Sequence, residues 1–226
     1  MFAVIFEVQP KPDRWQDYLH LAAELRPELV QVPGFIDNER FRSLSTEGRL
    51  LSLSTWQDEK ALIRWRTHAG HHAVQEKGRF AVFQDYHLRV GEIVADSGAT
   101  SGARLPEYRF DATEVGAAKV VTTSEAESEE AGQGQLQDAN TLGQRLGVPA
   151  IGHGGVVATE AFSGITRSGK ILLLVSWRDA EAAHAWQPPA SLEGLGPLRH
   201  RRVRVIRDYS LADRREAPQY YPPVQR

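Results

Sequence analysis

Apolar positions in residues 1–95 fall into stretches of two different periods. FAVIFEV (2–8) is rich in β-branched and aromatic residues and predicts a strand. PDRWQDYLHLAAELRPELVQ places Trp15, Leu19, Ala22 and Leu25 or Arg26 at helical spacing, and Pro27 should end or bend that helix. VPGF predicts a turn, after which IDNERFRSL and RLLSLSTW flank STEGR, whose Gly48 suits a hairpin. QDEKALIRWRT predicts a second helix with Asp58 and Glu59 in its first turn, where negative charge meets the positive end of the helix dipole. FAVFQDYHLRVGEI then predicts a long closing strand, so the order is β-α-β-β-α-β.

That order is a split βαβ, ferredoxin-like unit, and it occurs twice. A constant offset of 121 places Gly34 on Gly155, Glu39 on Glu160, Phe41 on Phe162, Gly48 on Gly169, Trp56 on Trp177, Asp58 on Asp179, Ala61 on Ala182 and Trp65 on Trp186, without a gap. FQDYHL (83–88) meets IRDYSL (206–211) after a slip of two residues. The expected organisation is a module over 1–95, a Gly/Ser-rich connector over 96–108, a second module over 109–211 and a Pro-rich C-terminal arm over 212–226. In ILLLVSW (171–177) both strand parities are apolar, so both sheet faces must be covered. Two helices per module cover one face only. The economical solution is an α+β chain whose two sheets pack face to face, an internal pseudo-dimer.

Composition narrows the chemistry. The 226 residues carry a formal net charge of −2, which gives no electrostatic reason to expect nucleic acid or anionic lipid as a partner. Cysteine is absent from the chain, which excludes disulfides, thiolate metal sites and a cysteine nucleophile. MFAVIFEVQPKPDRW does not read as a signal peptide, and no stretch approaches a membrane span, so a cytoplasmic protein is expected. IGHGG (151–155) lacks the spacing of a nucleotide loop and opens a strand rather than a helix.

The turn at Gly34, the paired Trp56 and Trp65, the histidine-rich stretch after Trp65, and DYHLRV together resemble the antibiotic biosynthesis monooxygenase (ABM) family. The likeness covers about residues 2–95. The second module keeps the hairpin, the Trp177 and Trp186 pair and RDYSL, but not the histidines. The resemblance implies a dimeric α/β barrel built here from one chain, further barrel contacts as a route to a homo-oligomer, and a site beside the second helix. It does not fix one reaction, because such relatives include cofactor-free oxygenases, haem degraders and lactone isomerases.

Trp65 lies on the core-facing stripe of the second helix and reads either as core or as a pocket wall. In one continuous helix His68, His72 and Glu76 would stack at i, i+4 and i+8 in a metal-like array. Gly70 argues for a break, so no metal site is expected; the histidines read as solvated or capping groups, with one turned inward as polar anchor or general base. His72, two turns beyond Trp65, ranks ahead of His68 and His71. Arg79 reads as a surface arginine or as a positive charge for an enolate or phenolate, Tyr86 recurs as Tyr209, and Phe6 and Asn38 are further candidates for the pocket wall. Pro188 and Pro189 should end the second module's helix directly after Trp186, leaving one histidine-lined pocket per chain.

The leading functional expectation is a cofactor-independent monooxygenase acting on a small aromatic or quinol-like molecule. The first alternative is haem binding or degradation, although Gln75 stands where haem-degrading relatives carry histidine and the first strand has no asparagine. The second is a non-catalytic ligand-binding or interaction module.

Overall fold

The computed structural model describes residues 1–99, 105–127 and 138–219. Its first half contains β1 (Phe2–Pro10), α1 (Trp15–Leu29), β2 (Phe35–Ser43), β3 (Leu50–Trp56), α2 (Glu59–Arg66), α3 (Ala69–Lys77) and β4 (Phe83–Asp96). The second contains β5 (Val120–Glu127), α4 (Ala139–Arg145), β6 (Val156–Gly164), β7 (Lys170–Trp177), α5 (Ala180–Ala185) and β8 (Arg199–Ser210). Within each half the strands are antiparallel, and the order β4-β1-β3-β2 is matched by β8-β5-β7-β6.

The two sheets are not separate layers. β4 pairs along most of its length with β8, and β2 pairs with β6 through Phe41 to Ser43, so all eight strands close into one barrel. The closed barrel is the one that the family resemblance implies, with the two sheets joined at their edges as well as packed across the lumen. Open edges would leave rows of unpaired backbone donors and acceptors, and closure satisfies them. The apolar parities of β7 then separate as the sequence required. Leu172 and Leu174 fill the lumen with Ile5, Phe41, Phe162 and Val205, while Leu173, Val175 and Trp177 face the helices of the second half.

The repeated glycines have a common cause. Gly34 and Gly155 hold φ of 87° and 79°, and a side-chain carbon added at Gly34 would lie 2.7 Å from Ala61 Cβ. The repeated Asp58 and Asp179 accept from the backbone N–H of Ala61 and Ala182, each at 2.8 Å, which caps α2 and α5.

The lumen also holds polar groups related by the same repetition. Arg89 on β4 donates to Glu7 of its own half and, at 2.8 Å, to Ser176 of the other. Arg201 on β8 donates to Glu125 of its own half and, at 3.0 Å, to Thr55 of the first. All four charged side chains are buried, so each guanidinium offsets the desolvation of one carboxylate.

Three expectations change. α1 runs through Pro27 and stops two residues later at Leu29; the proline has no N–H to offer the Ala23 carbonyl, and the helix ends within the same turn. The described parts of the expected connector are tied down: Ser97 donates its backbone N–H to His200 O, and the backbone N–H groups of Tyr108 and Arg109 donate to Glu92. Residues 212–219 of the expected arm are likewise held. Glu216 accepts from Thr113 Oγ1 at 2.6 Å and from the backbone N–H of Asp208 at 2.7 Å. Residues 100–104 and 220–226 lie outside the described residues.

Candidate active site

A cavity of about 210 Å³ opens between the helices of the first half and the outer face of its sheet. Its floor comes from alternate positions of adjacent strands, including Phe6 on β1, Asn38 on β2, Ser54 on β3 and Tyr86 on β4. Tyr18 and Leu21 of α1, Leu62 and Trp65 of α2, and Val74 of α3 supply the opposite wall. Trp65, Arg79, Phe6, Asn38 and Tyr86, the five residues expected at a pocket wall, all line this space.

The histidines divide differently from expectation. α2 stops at Arg66, and His68 takes an extended conformation as N-cap of α3. That break resets the helical phase, so His71 rather than His72 turns toward Trp65. The His71 and Trp65 rings stack with centroids 4.5 Å apart and planes 17° from parallel. His71 Nδ1 lies 3.0 Å from Trp65 O, which can only accept, so Nδ1 carries the proton and Nε2 the lone pair. Burial pushes the imidazole down to about 4, outweighing the raising effect of the bond to Trp65 O, so the ring is neutral at pH 7. His72 is exposed and does not line the cavity. His68 is also exposed; its ring stacks on Trp65 at 5.6 Å, with Nδ1 3.4 Å from Glu28. Among the described residues, no group of three or more His, Asp and Glu side chains could hold a metal ion.

Arg79 is 2% exposed and so is not a surface arginine. It sits in a wide π-type turn between α3 and β4 and donates to Tyr86 Oη at 3.0 Å. Arg214 donates to the same oxygen at 2.6 Å and lies over the Tyr209 ring at 5.1 Å. Tyr209, the counterpart of Tyr86, also lines the cavity, where burial pushes its hydroxyl up to about 12. On β2, Asn38 Nδ2 donates to Ser52 Oγ at 2.9 Å and to Leu53 O at 3.3 Å, leaving its buried Oδ1 without a partner among the described residues.

The second half fills the corresponding region with side chains. Trp186 is buried, its ring is 5.5 Å from that of Trp177, and its Nε1 donates to Leu146 O at 3.0 Å. α5 ends at Ala185, before the two prolines, and no equivalent of α3 follows it among the described residues.

Residues 1–77 match the family model described as antibiotic biosynthesis monooxygenase. A jasmonate monooxygenase ABM of Pyricularia oryzae is 42% identical over 228 aligned residues, covering 99% of this chain and 100% of that protein. The chain belongs to the antibiotic biosynthesis monooxygenase family. A second relative in sequence, the uncharacterised protein YqjZ of Bacillus subtilis, is 32% identical over 92 residues, which are 41% of this chain and 78% of that protein. Among solved structures, an aldoxime dehydratase in complex with butyraldoxime superposes with a TM-score of 0.54 at 12% identity. That alignment covers 94% of this chain and 80% of the dehydratase, and the likeness concerns the fold alone.

Membership of the ABM family does not by itself bring haem to this cavity. Gln75 lines it where a haem degrader would carry histidine. At about 210 Å³ the space falls below the roughly 300–1,000 Å³ that encloses drug-sized ligands, and a porphyrin is larger still. Among the described residues, no helix is long and apolar enough to cross a membrane.

The sequence did not indicate that Arg66, Arg207 and Arg214 converge on the same cavity. They lie on α2, on β8 and after β8, and no local spacing connects them. The recurrence of Tyr86 as Tyr209 marked equivalent strands, and only the structure pairs β8 with β4.

Proposed function

We propose that the chain is a cofactor-independent monooxygenase whose site is the first-half cavity, with His71 as the proton acceptor. A single observation carries this reading: a neutral imidazole, stacked on Trp65 with Nε2 unprotonated, borders a mainly apolar space. The substrate is a small, largely apolar molecule with a methylene whose C–H is acidified by a neighbouring carbonyl or phenol. Nε2 takes that proton, the carbanion reduces dioxygen to a hydroperoxide, and loss of water leaves a carbonyl. The methylene carbon thus gives up both hydrogens and gains one oxygen atom, while the second oxygen atom departs with those hydrogens as water. The substrate supplies all four electrons that dioxygen takes up. A hydroxylation would instead require two electrons from an external reductant. Arg79 and Tyr86 supply the positive charge and hydrogen bonding that stabilise an enolate beside the base.

Jasmonate is the first substrate to test, because the 42% identical relative is named for it; hydroquinones and anthrone represent the aromatic class expected from the sequence. Each is incubated with purified protein under oxygen-18 gas, and the product is weighed by mass spectrometry. Incorporation of one labelled oxygen without added reductant, lost in His71→Ala, is expected. Unlabelled product, or full activity in His71→Ala, overturns the assignment.

In the same proposal the chain is two ferredoxin-like modules in tandem, 1–95 and 109–211, joined by 96–108 and followed by an arm from 212. The offset of 121 and the mirrored lumen pairs of Arg89 and Arg201 support it. The second module serves as scaffold for the barrel. Protein expressed from residue 109 onward tests this: a folded, soluble second module would show that it does not depend on the first.

A further inference from the structure

The cavity's charge is strongly one-sided. Five guanidinium groups line it, those of Arg40, Arg66, Arg79, Arg207 and Arg214. Among the described residues the one carboxylate in the lining, Glu59, is already bound by Arg109 Nη1 at 2.7 and 2.9 Å. Neither Arg66 nor Arg207 forms a contact ion pair with a carboxylate among the described residues, although the charge of Arg207 acts on Asp111 at longer range, and Arg66 Nε is buried without a partner there. The hydroxyl of Tyr86 accepts from both Arg79 and Arg214, so its two lone pairs are used and its proton is left to donate. Tyr209, between Arg66, Arg207 and Arg214, stays protonated and can act only as a neutral group. Like charges gathered at an apolar space repel one another, and an anion placed among them relieves that repulsion.

We infer that Arg66, Arg207 and Arg214 form an anchor for a carboxylate, and that the site selects free acids over their neutral esters. This rests on the cavity being the substrate site, as proposed above. It adds a specificity element that touches the substrate away from the reacting carbon. The guanidinium fork matches a planar carboxylate through paired charge-assisted bonds, which an ester cannot reproduce. An enolate formed during turnover would be held equally for acid and ester, so comparing the two isolates the carboxylate.

The test measures binding of jasmonic acid and methyl jasmonate to the full chain at pH 7.5 by titration calorimetry. It uses wild type, Arg66→Gln and Arg207→Gln, with thermal melting to establish that each variant is folded. Expected is acid binding about 10 to 100-fold tighter than ester binding in wild type. Either substitution should weaken the acid about tenfold or more and leave the ester unchanged. Equal affinity for acid and ester in wild type overturns the anchor while leaving the oxygenase reading intact. Equal weakening of both ligands in both folded variants shows a structural role and also overturns it. Binding of neither ligand removes the anchor as well, and the labelled-oxygen assay with hydroquinone then decides the oxygenase reading separately.

Discussion

Lowering the pH tests the placement of His71 directly. In the fold its imidazole titrates near 4, against 6.5 for an ordinary histidine, because burial penalises the charged ring more than the Trp65 carbonyl rewards it. At pH 5.5 an ordinary histidine is about nine-tenths protonated, whereas His71 should be about 3% protonated. The folded value lies below the unfolded one, so between pH 6.5 and 4 the unfolded chain binds the extra proton. Stability is therefore complete above pH 6.5 and declines as acid is added toward pH 4. From pH 7 to 4.5 this group alone removes about 2.5 kcal/mol at most, and water entering the cavity would reduce the figure. Histidine ring C–H resonances followed by NMR from pH 8 to 3.5 report the titration, with His71→Gln assigning the signal. Urea unfolding of wild type and variant at the two pH values reports the energy. A His71 midpoint between 6 and 7, or an identical acid loss in His71→Gln, would refute the burial argument and with it the choice of a neutral base.

The same assignment separates neighbouring histidines: His71→Ala should lower oxygen uptake about 100-fold or more and His72→Ala by less than about twofold, measured with an oxygen electrode. Replacing Arg89 by Met leaves Glu7 buried without its guanidinium and should cost about 3 kcal/mol in urea unfolding. Adding Glu7→Leu should recover most of that loss, and a double variant no more stable than the single would contradict the pairing. Gly34→Ala combines an unfavourable left-handed backbone with contact against Ala61 and should cost at least about 1–2 kcal/mol; a melting temperature equal to wild type would refute it. Removing the cap with Asp58→Ala should cost about 1 kcal/mol in the same unfolding assay.

Much of this architecture was legible because local and global signals agreed. The doubled apolar parities of β7 and the acidic Asp58 at the start of the second helix each pointed to a feature found in place. Barrel closure was implied by the family resemblance and by no local pattern, since the bonds joining β2 to β6 and β4 to β8 run between backbone groups that any side chain permits. The wall of the cavity was legible in five residues, and the histidine that borders it was not. Trp65, Arg79, Phe6, Asn38 and Tyr86 were found around one cavity. The ranking of histidines failed because it extended the phase of α2 through residues 67 and 68, where the chain turns out of helix and restarts. Gly70 gave notice of that break, but the new phase depended on where α3 begins. The burial of Arg79 had no local signal either, because it follows from a π-type turn and from the return of Leu211 beside Tyr86.

Holding both sides of the barrel on one polypeptide frees them from symmetry. In a homodimer every substitution is made twice, so a change that widens one chamber must widen its mirror image. Here Trp186 can seal its own side and two prolines can cut short its helix while Trp65 keeps an open chamber opposite. The crossed contacts of Arg89 to Ser176 and Arg201 to Thr55 set the boundary of that freedom, since each half supplies a hydroxyl that the other's buried cation requires. Divergence can proceed outward from the lumen, while the lumen itself must change as a matched set.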